Sequence, residues 1–413
     1  LKFHELRNTL AAVCPMLISR NVVATNHGAA IAAPTEGRNA NMIKRLLSGS
    51  ILAVALIAAA ATASSAGEGP TLAYGLKGQL RALLSHLDEP GDEPGTEGGM
   101  QVRTARLDVR AKSEDGRMSG RFMVGADRTS GDIEIEYAYA DLALPRYWRL
   151  RVGQFKPEFL REENVGSTDQ LAAERSYTAD YFTVDYAEGA SLLRDFARTR
   201  VALSLHDGSY SAGTDLGADR TDLALAARGE YALRGDRKRC AGFRALPDEG
   251  RAVLLGAAID FEQGEDPDVL KVGLDATAAM PGTSLFAAVI RQYLTGSRGA
   301  AIAEQTGLVL QAATCLAPQD WEAFGRWEHL DFDGVYHRNK GEDVSRAATS
   351  VGDEALDIVT LGVNWYRDGQ SSRWTLDLVR ALDRIPVANT GSGLLAGSAA
   401  GQTVIRLQYQ FKL

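Results

Sequence analysis

The last eleven residues, Thr403 to Leu413, alternate without a break. Ile405, Leu407, Tyr409, Phe411 and Leu413 fall on one face, and Arg406, Gln408, Gln410 and Lys412 on the other. A β-strand turns successive side chains to opposite sides, so this segment has one apolar and one polar face. The same pattern recurs upstream. In 71–84, Leu72, Tyr74, Leu76, Leu80 and Leu84 oppose Lys77, Gln79 and Arg81. In 100–112, Leu107 and Val109 oppose Arg106, Asp108 and Arg110, and in 117–128, Phe122 and Val124 oppose Arg121 and Asp127. In 132–144, Ile133, Ile135, Tyr137 and Tyr139 oppose Glu134 and Glu136, and in 147–155, Trp148, Leu150 and Val152 oppose Arg149 and Arg151. Further strands are expected at 189–195, 199–206, 222–233, 251–262, 269–279, 283–294, 305–315, 320–331, 355–367, 371–384 and 402–413.

These make about sixteen strands, an even number within the range of outer-membrane barrels. Tight turns such as Met280-Pro281-Gly282 and Asp368-Gly369-Gln370 contrast with long connections at 85–99, 156–188, 234–250, 332–354 and 385–401. Short turns on one rim and long loops on the other are the barrel arrangement. A soluble sandwich shows similar alternation, its apolar faces packed sheet on sheet.

The N-terminal region favours the membrane. From Met42 the chain reads MIKRLLSGSILAVALIAAAATASSAGEGP. Lys44 and Arg45 form a basic start, a mainly apolar run to Ala61 follows, and small residues end it, with cleavage expected after Ala63 or Ala66. The run is shorter than the ~20 residues of a membrane-spanning helix. Residues 42–66 are therefore read as a signal peptide, 1–41 as a non-native upstream extension, and 67–413 as a single all-β domain, a transmembrane antiparallel β-barrel. No later segment has the length and apolarity of a spanning helix.

Composition narrows the function classes. The net charge of −8 disfavours a nucleic-acid partner. Cys14 precedes the signal, leaving Cys240 and Cys315, which are too few for a disulfide scaffold; whether they pair is left open, and no Cys/His cluster suggests zinc. There is no Gly-x-Ser-x-Gly and no glycine-rich phosphate loop. His206-Asp207 and His329 lack a recognisable nucleophile partner. Asp331-Phe332-Asp333-Gly334 begins like a calcium loop but lacks the remaining ligand spacing, so it reads as a turn. The expectation is a protein without catalysis, cofactor or metal.

Two blocks carry a family resemblance. Leu150-Arg151-Val152-Gly153-Gln154-Phe155-Lys156-Pro157-Glu158-Phe159, followed by Glu162 and Glu174-Arg175-Ser176, resembles the fifth-strand region of the phosphate-selective porin O and P family. Thr360-Leu361-Gly362-Val363-Asn364-Trp365-Tyr366 and Ile405-Arg406-Leu407-Gln408-Tyr409-Gln410-Phe411 resemble its C-terminal part, although Lys412 and Leu413 extend beyond the usual end. The resemblance implies a homotrimer of sixteen-stranded outer-membrane barrels, each with an inward-folded loop that narrows the pore. It implies phosphate ligands only in part. Arg103 matches a second-strand arginine, with Thr104 beside it, and Ser167 matches a loop serine. Gln79, Glu163 and Gly166 stand where the family's phosphate channels carry an arginine, a lysine and a serine.

The segment 156–188 is the expected constriction loop, its length and its apolar residues Phe159, Leu160, Leu171, Tyr177, Tyr181 and Phe182 suiting a packed functional loop. Lys156, Arg161 and Arg175, facing Glu162, Glu163 and Asp169, with Ser167, are the constriction candidates; opposed charges across a constriction bias which ion passes. The alternative is that these charges only tie the loop to the wall. Lys77, Arg81, Arg103, Arg106, Arg110, Arg121, Arg149, Arg151 and Arg406 are the lumen-wall candidates, Arg103 needing a bulge to turn inward because it shares the parity of Leu107. The expected function is passive diffusion of small hydrophilic solutes and ions, anion-leaning, with outer-membrane lipid around the barrel. The alternatives are a phosphate or polyphosphate channel and a secreted β-rich binding protein.

Overall fold

The computed structural model describes residues 69–89, 95–126, 132–211, 213, 221–245, 247, 250–264, 267–296, 301–316, 320–332, 337–339, 342–344, 354–369, 371–395 and 401–413. The expected upstream extension and signal peptide lie outside them.

Sixteen antiparallel strands close into one barrel. In chain order they are β1 (Thr71–Leu87), β2 (Thr96–Lys112), β3 (Met118–Ala126), β4 (Ile133–Ala143), β5 (Trp148–Phe155), β6 (Ala187–Asp195), β7 (Thr199–His206), β8 (Thr221–Arg234), β9 (Ala252–Gly264), β10 (Asp268–Met280), β11 (Thr283–Thr295), β12 (Ala301–Leu316) and β13 (Trp321–Phe332). A small hairpin, β14 (His337–Asn339) with β15 (Glu342–Val344), stands apart from the wall. The wall then finishes with β16 (Glu354–Asp368), β17 (Ser372–Ala381) and β18 (Gln402–Lys412). The seam pairs β18 with β1 from Lys77↔Lys412 to Leu87↔Gln402, leaving the wall no open edge. Leu413 joins it, exchanging backbone hydrogen bonds with Leu76 at 2.9 and 3.0 Å. Gly78 lies opposite Phe411, whose ring occupies the space a Cβ would take.

The apolar face of the strands points outward. Leu80, Leu84, Leu203, Leu274, Leu310, Leu361, Leu376 and Leu407 all expose large apolar area. A ring of such residues in water would cost about 1.5–3 kcal/mol each relative to burial, so lipid is their natural solvent. At the rim holding the chain end, Tyr74, Tyr231, Trp321, Trp365 and Trp374 form an outward aromatic girdle, and Trp321 stacks on Trp365 at 6.0 Å. Among the described residues no helix is long and apolar enough to cross a membrane, which says nothing of crossing by strands.

Two bulges change the inward face. The register slips between Gln79↔Thr104 and Leu80↔Val102, so Arg103 is the extra residue. It slips again between Met123↔Tyr137 and Val124↔Ile135, so Glu136 is extra. Beyond that point the parity of β4 reverses. Tyr137 and Tyr139, expected on the apolar outer face, lie inside, where the guanidinium groups of Arg121 and Arg151 sit 4.1 and 3.9 Å from their ring centres.

The lumen is largely filled by chain. Residues 156–186 enter from the loop rim, carrying the short helices α1 (Arg161–Asn164) and α2 (Tyr177–Phe182). Phe159, Leu160, Tyr181 and Phe182 pack there against Ile290, Leu330, Leu356 and Val379 of the wall. Residues 385–395 fold over the same core, with Ile385, Val387 and Leu394 in it.

Candidate functional site

Because the inward segments cover most of the wall, water-exposed inner side chains among the described residues concentrate on the arc β1–β5. On β8 to β18 the inner positions are buried: Asp260, Glu322, Thr360, Asn364, Thr375, Asp377 and Gln408 are each at most 1 % exposed. On β1–β5 the side chains of Arg103, Arg110 and Arg149 are 28, 60 and 38 % exposed. At the chain-end mouth of this arc lies an open cavity of about 410 Å³, lined among others by Arg110, Arg121, Tyr139 and Asp141.

Along this path the cations outnumber the carboxylates that they pair with. At the narrow level the buried Glu174 of the inward loop takes Arg103 Nε and, at 2.8 Å, Arg81 Nη1. One step along, Arg106 Nε meets Glu136 at 2.5 Å and Arg106 Nη1 donates to Ser167 Oγ at 3.0 Å. Next, Asp108 holds Arg121 at 2.9 Å, Arg110 at 3.0 Å and Lys77 at 3.9 Å. Last, Asp141 holds Arg151 at 2.8 Å and Arg149 at 3.5 Å. The acids hold the guanidinium groups in place, and because each serves more than one cation as a rule, positive charge is left over.

The wall cations do not all reach water. Arg103, Arg106, Arg110, Arg121, Arg149, Arg151 and Lys77 line the open arc. Arg81 and Arg406, expected on the lumen wall, are on its inner face but buried, with 2 % and 1 % exposure. Arg81 donates to Ala173 O and Gly391 O, and Arg406 clasps Asp377 at 2.7 and 3.0 Å. They anchor the inward segments instead of facing solute, because the loops that cover them supply carbonyl acceptors.

Most constriction candidates are likewise tied within the loop or to the connection after β8. Glu162 accepts from Ser176 N at 2.7 Å and Ser176 Oγ at 2.6 Å. Lys156 meets Glu163 and, at 2.6 Å, Asp185, while Arg175 stands 3.3 Å from Glu163. Arg161 donates to the carbonyl of Cys240, and Asp169 offers its own carbonyl to Phe243 N at 3.4 Å. Only Ser167 touches the open arc, through Arg106. Burial opposes the charge on Glu174 and on Glu163, but Arg103 and Arg81 beside the first, and Arg175 and Lys156 beside the second, hold both carboxyls well below the usual range. Gln79 is buried under the loop, its Nε2 3.5 Å from Ser167 O.

Asp108 and Glu136 stand on the polar faces that alternation gives, where they pair with the basic wall residues, whereas Glu174, Asp141 and the inward Tyr137 and Tyr139 were not among the sequence candidates. Alternation gives no signal for the tyrosines, because Glu134 and Glu136 share one parity and the pattern runs through the bulge unbroken. The long connection 234–250, grouped with the loops of one rim, lies at the other: it follows β8, an even-numbered strand, and so opens at the rim of the chain end. Cys240 and Cys315 are not bridged. Among the described residues no group of three or more His, Cys, Asp or Glu side chains is placed to hold a metal.

A closed sixteen-stranded barrel with a lipid-type exterior and an inward loop has the architecture of the outer-membrane porins. The model of the family "Phosphate-selective porin O and P" matches residues 75–260, the region that carries the resemblance in β5 and its loop. Solved structures agree on the fold. The anion-selective porin from Comamonas acidovorans superposes with a TM-score of 0.59 at 12% identity, covering 83% of this chain and 100% of that one. The outer membrane channel DcaP of Acinetobacter baumannii gives 0.55 at 13% identity over 85% and 99%, and OmpT of Vibrio cholerae, in trimer form, 0.52 at 13% over 84% and 100%. A curated relative, an uncharacterized protein of Aquifex aeolicus (strain VF5), is 24% identical over 270 residues, which are 59% of this chain and 62% of the relative. The match thus spans less than two thirds of that relative's length.

Proposed function

We propose that this barrel is a passive diffusion channel for small hydrophilic solutes that passes small anions better than cations. The observation that carries this reading is the arc β1–β5, where Lys77, Arg103, Arg106, Arg110, Arg121, Arg149 and Arg151 pair with Glu174, Glu136, Asp108 and Asp141, and Arg149 also stands 3.9 Å from Asp195. One uncompensated charge about 5 Å from a passing ion shifts its energy by about 1 kcal/mol in water and more where the wall excludes water. Specific phosphate capture has less support, since Gln79 and Glu163 stand where the resemblance places an arginine and a lysine, and Glu163 is engaged with Lys156 and Arg175.

The chain-end rim then faces the periplasm and the long loops the exterior, after export by the signal peptide at 42–66. The protein works as a homotrimer. In favour of this, β3 to β7 have only 9, 11, 8, 9 and 8 residues, at or below the ~9–11 a tilted spanning strand needs, so this low wall gains from cover by another copy.

Reversal potentials of single channels across a KCl gradient test the reading. A chloride-preferring potential is expected, and potassium preference would overturn it. Inorganic phosphate that blocks chloride current at low concentration would instead favour the phosphate channel. Native mass in detergent should be that of three copies; a monomer would remove the trimer.

A further inference from the structure

The barrel has a second inward segment, and it comes from the opposite rim. Between β8 and β9, residues 236–245 turn up into the lumen. Asp236 caps the first turn by accepting from Lys238 N at 2.9 Å. Cys240 and Phe243 are wholly buried. Phe243 packs on Phe286 of β11 with ring centres 4.7 Å apart, and it meets Val165, Leu171 and Ala172 of the constriction loop in one apolar cluster. Ala245 N donates to Glu322 of β13 at 2.6 Å. The two segments thus meet end to end inside the barrel, and the lower one fills the side away from β1–β5.

The same segment carries Arg237, and its partners connect it to the cation path. Arg237 Nη2 meets Asp195 at the end of β6, and Arg237 Nη1 lies 3.5 Å from Glu230. Asp195 also takes Arg200 at 3.0 Å and Arg149 at 3.9 Å. Its side chain is 42 % exposed, so this cluster is wet. Arg149 in turn belongs to Asp141, the last acid of the arc. Three cations converge on Asp195, and each has a further acid: Arg200 is clasped by Glu158, Arg237 faces Glu230 and Arg149 faces Asp141.

We propose that residues 236–245 form a second selectivity element at the chain-end mouth, narrowing it and lengthening the anion path by one station, Asp195 with Arg149, Arg200 and Arg237. This rests on the anion-leaning channel reading. The station acts on small inorganic anions through charge rather than through capture.

The test uses single channels of the full chain, with the KCl gradient applied in both directions across each channel. Screening reaches about 30 Å in 10 mM salt but only about 10 Å in 100 mM, so a charge at one mouth acts most when the dilute solution bathes that mouth. Wild type should therefore give a different anion-to-cation ratio in the two directions. R237Q should lower the ratio by about twofold in one direction and leave the other nearly unchanged, a lopsided loss that follows from local charge. An equal loss in both directions, or none, overturns the proposal. A second variant replaces 237–245 by Asp-Gly; its conductance should rise by about half or more, since the lower lumen widens. Unchanged conductance overturns the narrowing role. Cation preference in wild type itself would sink the channel reading first, so the two failures are told apart.

Discussion

Asp180, inside α2, shows how burial works on single residues here. Its Oδ2 accepts from Asn389 Nδ2 at 2.8 Å, tying the constriction loop to 385–395. Burial, with Glu174 and Glu163 near, pushes its pKa up from 3.8 to about 7. Below about pH 4 the group is protonated whether the chain is folded or not. Above that the unfolded chain loses the proton first, so the stability the group contributes is lost as pH rises through about 7. The thermal midpoint in detergent should fall between pH 5 and pH 8, and D180N should flatten that slope; parallel slopes would refute the assignment. Gly153 acts through backbone instead. At φ +126° an added Cβ would stand 2.2 Å from Ala138 O, so G153A should lower stability by about 1–3 kcal/mol, whereas G229A, with open space around it, should change little. Such residues mark where reading the chain stops. Alternation placed Leu80 and Arg106 on their faces, but a bulge inserts one residue, and its position leaves no mark in a pattern of period two. Arg103 needed a bulge and has one; Tyr137 and Tyr139 moved to the lumen through another.

At the level of elements, the strands were legible and the loops were not. A strand with lipid on one side and polar chain on the other must alternate, and β7 and β11 begin where alternation says they do. A loop has no period, so its destination depends on distant partners. The constriction loop is held by Glu174 on Arg81 and Arg103, Glu328 on Thr178 N at 2.9 Å, and Asp377 on Ala173 N at 2.8 Å. Each acid lies on a different strand or turn from its partner, so sequence spacing could not pair them. E174Q leaves the buried Arg81 without its counter-charge, and losing one partner of a buried pair costs about 3–5 kcal/mol. The variant should show noisier single-channel current and an earlier thermal transition of the lumen, while the barrel still migrates as a folded species on unheated gels. Quiet current at wild-type stability would show that Glu174 does not hold the loop.

For the whole molecule, the lumen resembles the core of a soluble domain and the outside resembles a membrane span. The position of the wet arc follows from this inversion: chain entering from both rims packs against β8–β18 and leaves water along β1–β5. The shared carboxylates at Asp108 and Asp141 then set a property of the pore as an electrical element. Fixed positive charge must be balanced, and with too few fixed acids the balance is made by mobile chloride drawn from the bath. On the proposed reading the path would behave as a narrow bed of ion exchanger, holding its own carriers whatever the bath contains. Its conductance should track salt at high concentration and level off toward a plateau below about 0.1 M, where the Debye length of about 10 Å becomes comparable with the pore. Strict proportionality down to millimolar salt would mean that the wall charges cancel. On the anion-leaning reading, such a barrel would keep conducting in dilute surroundings at nearly the rate its own arginines dictate.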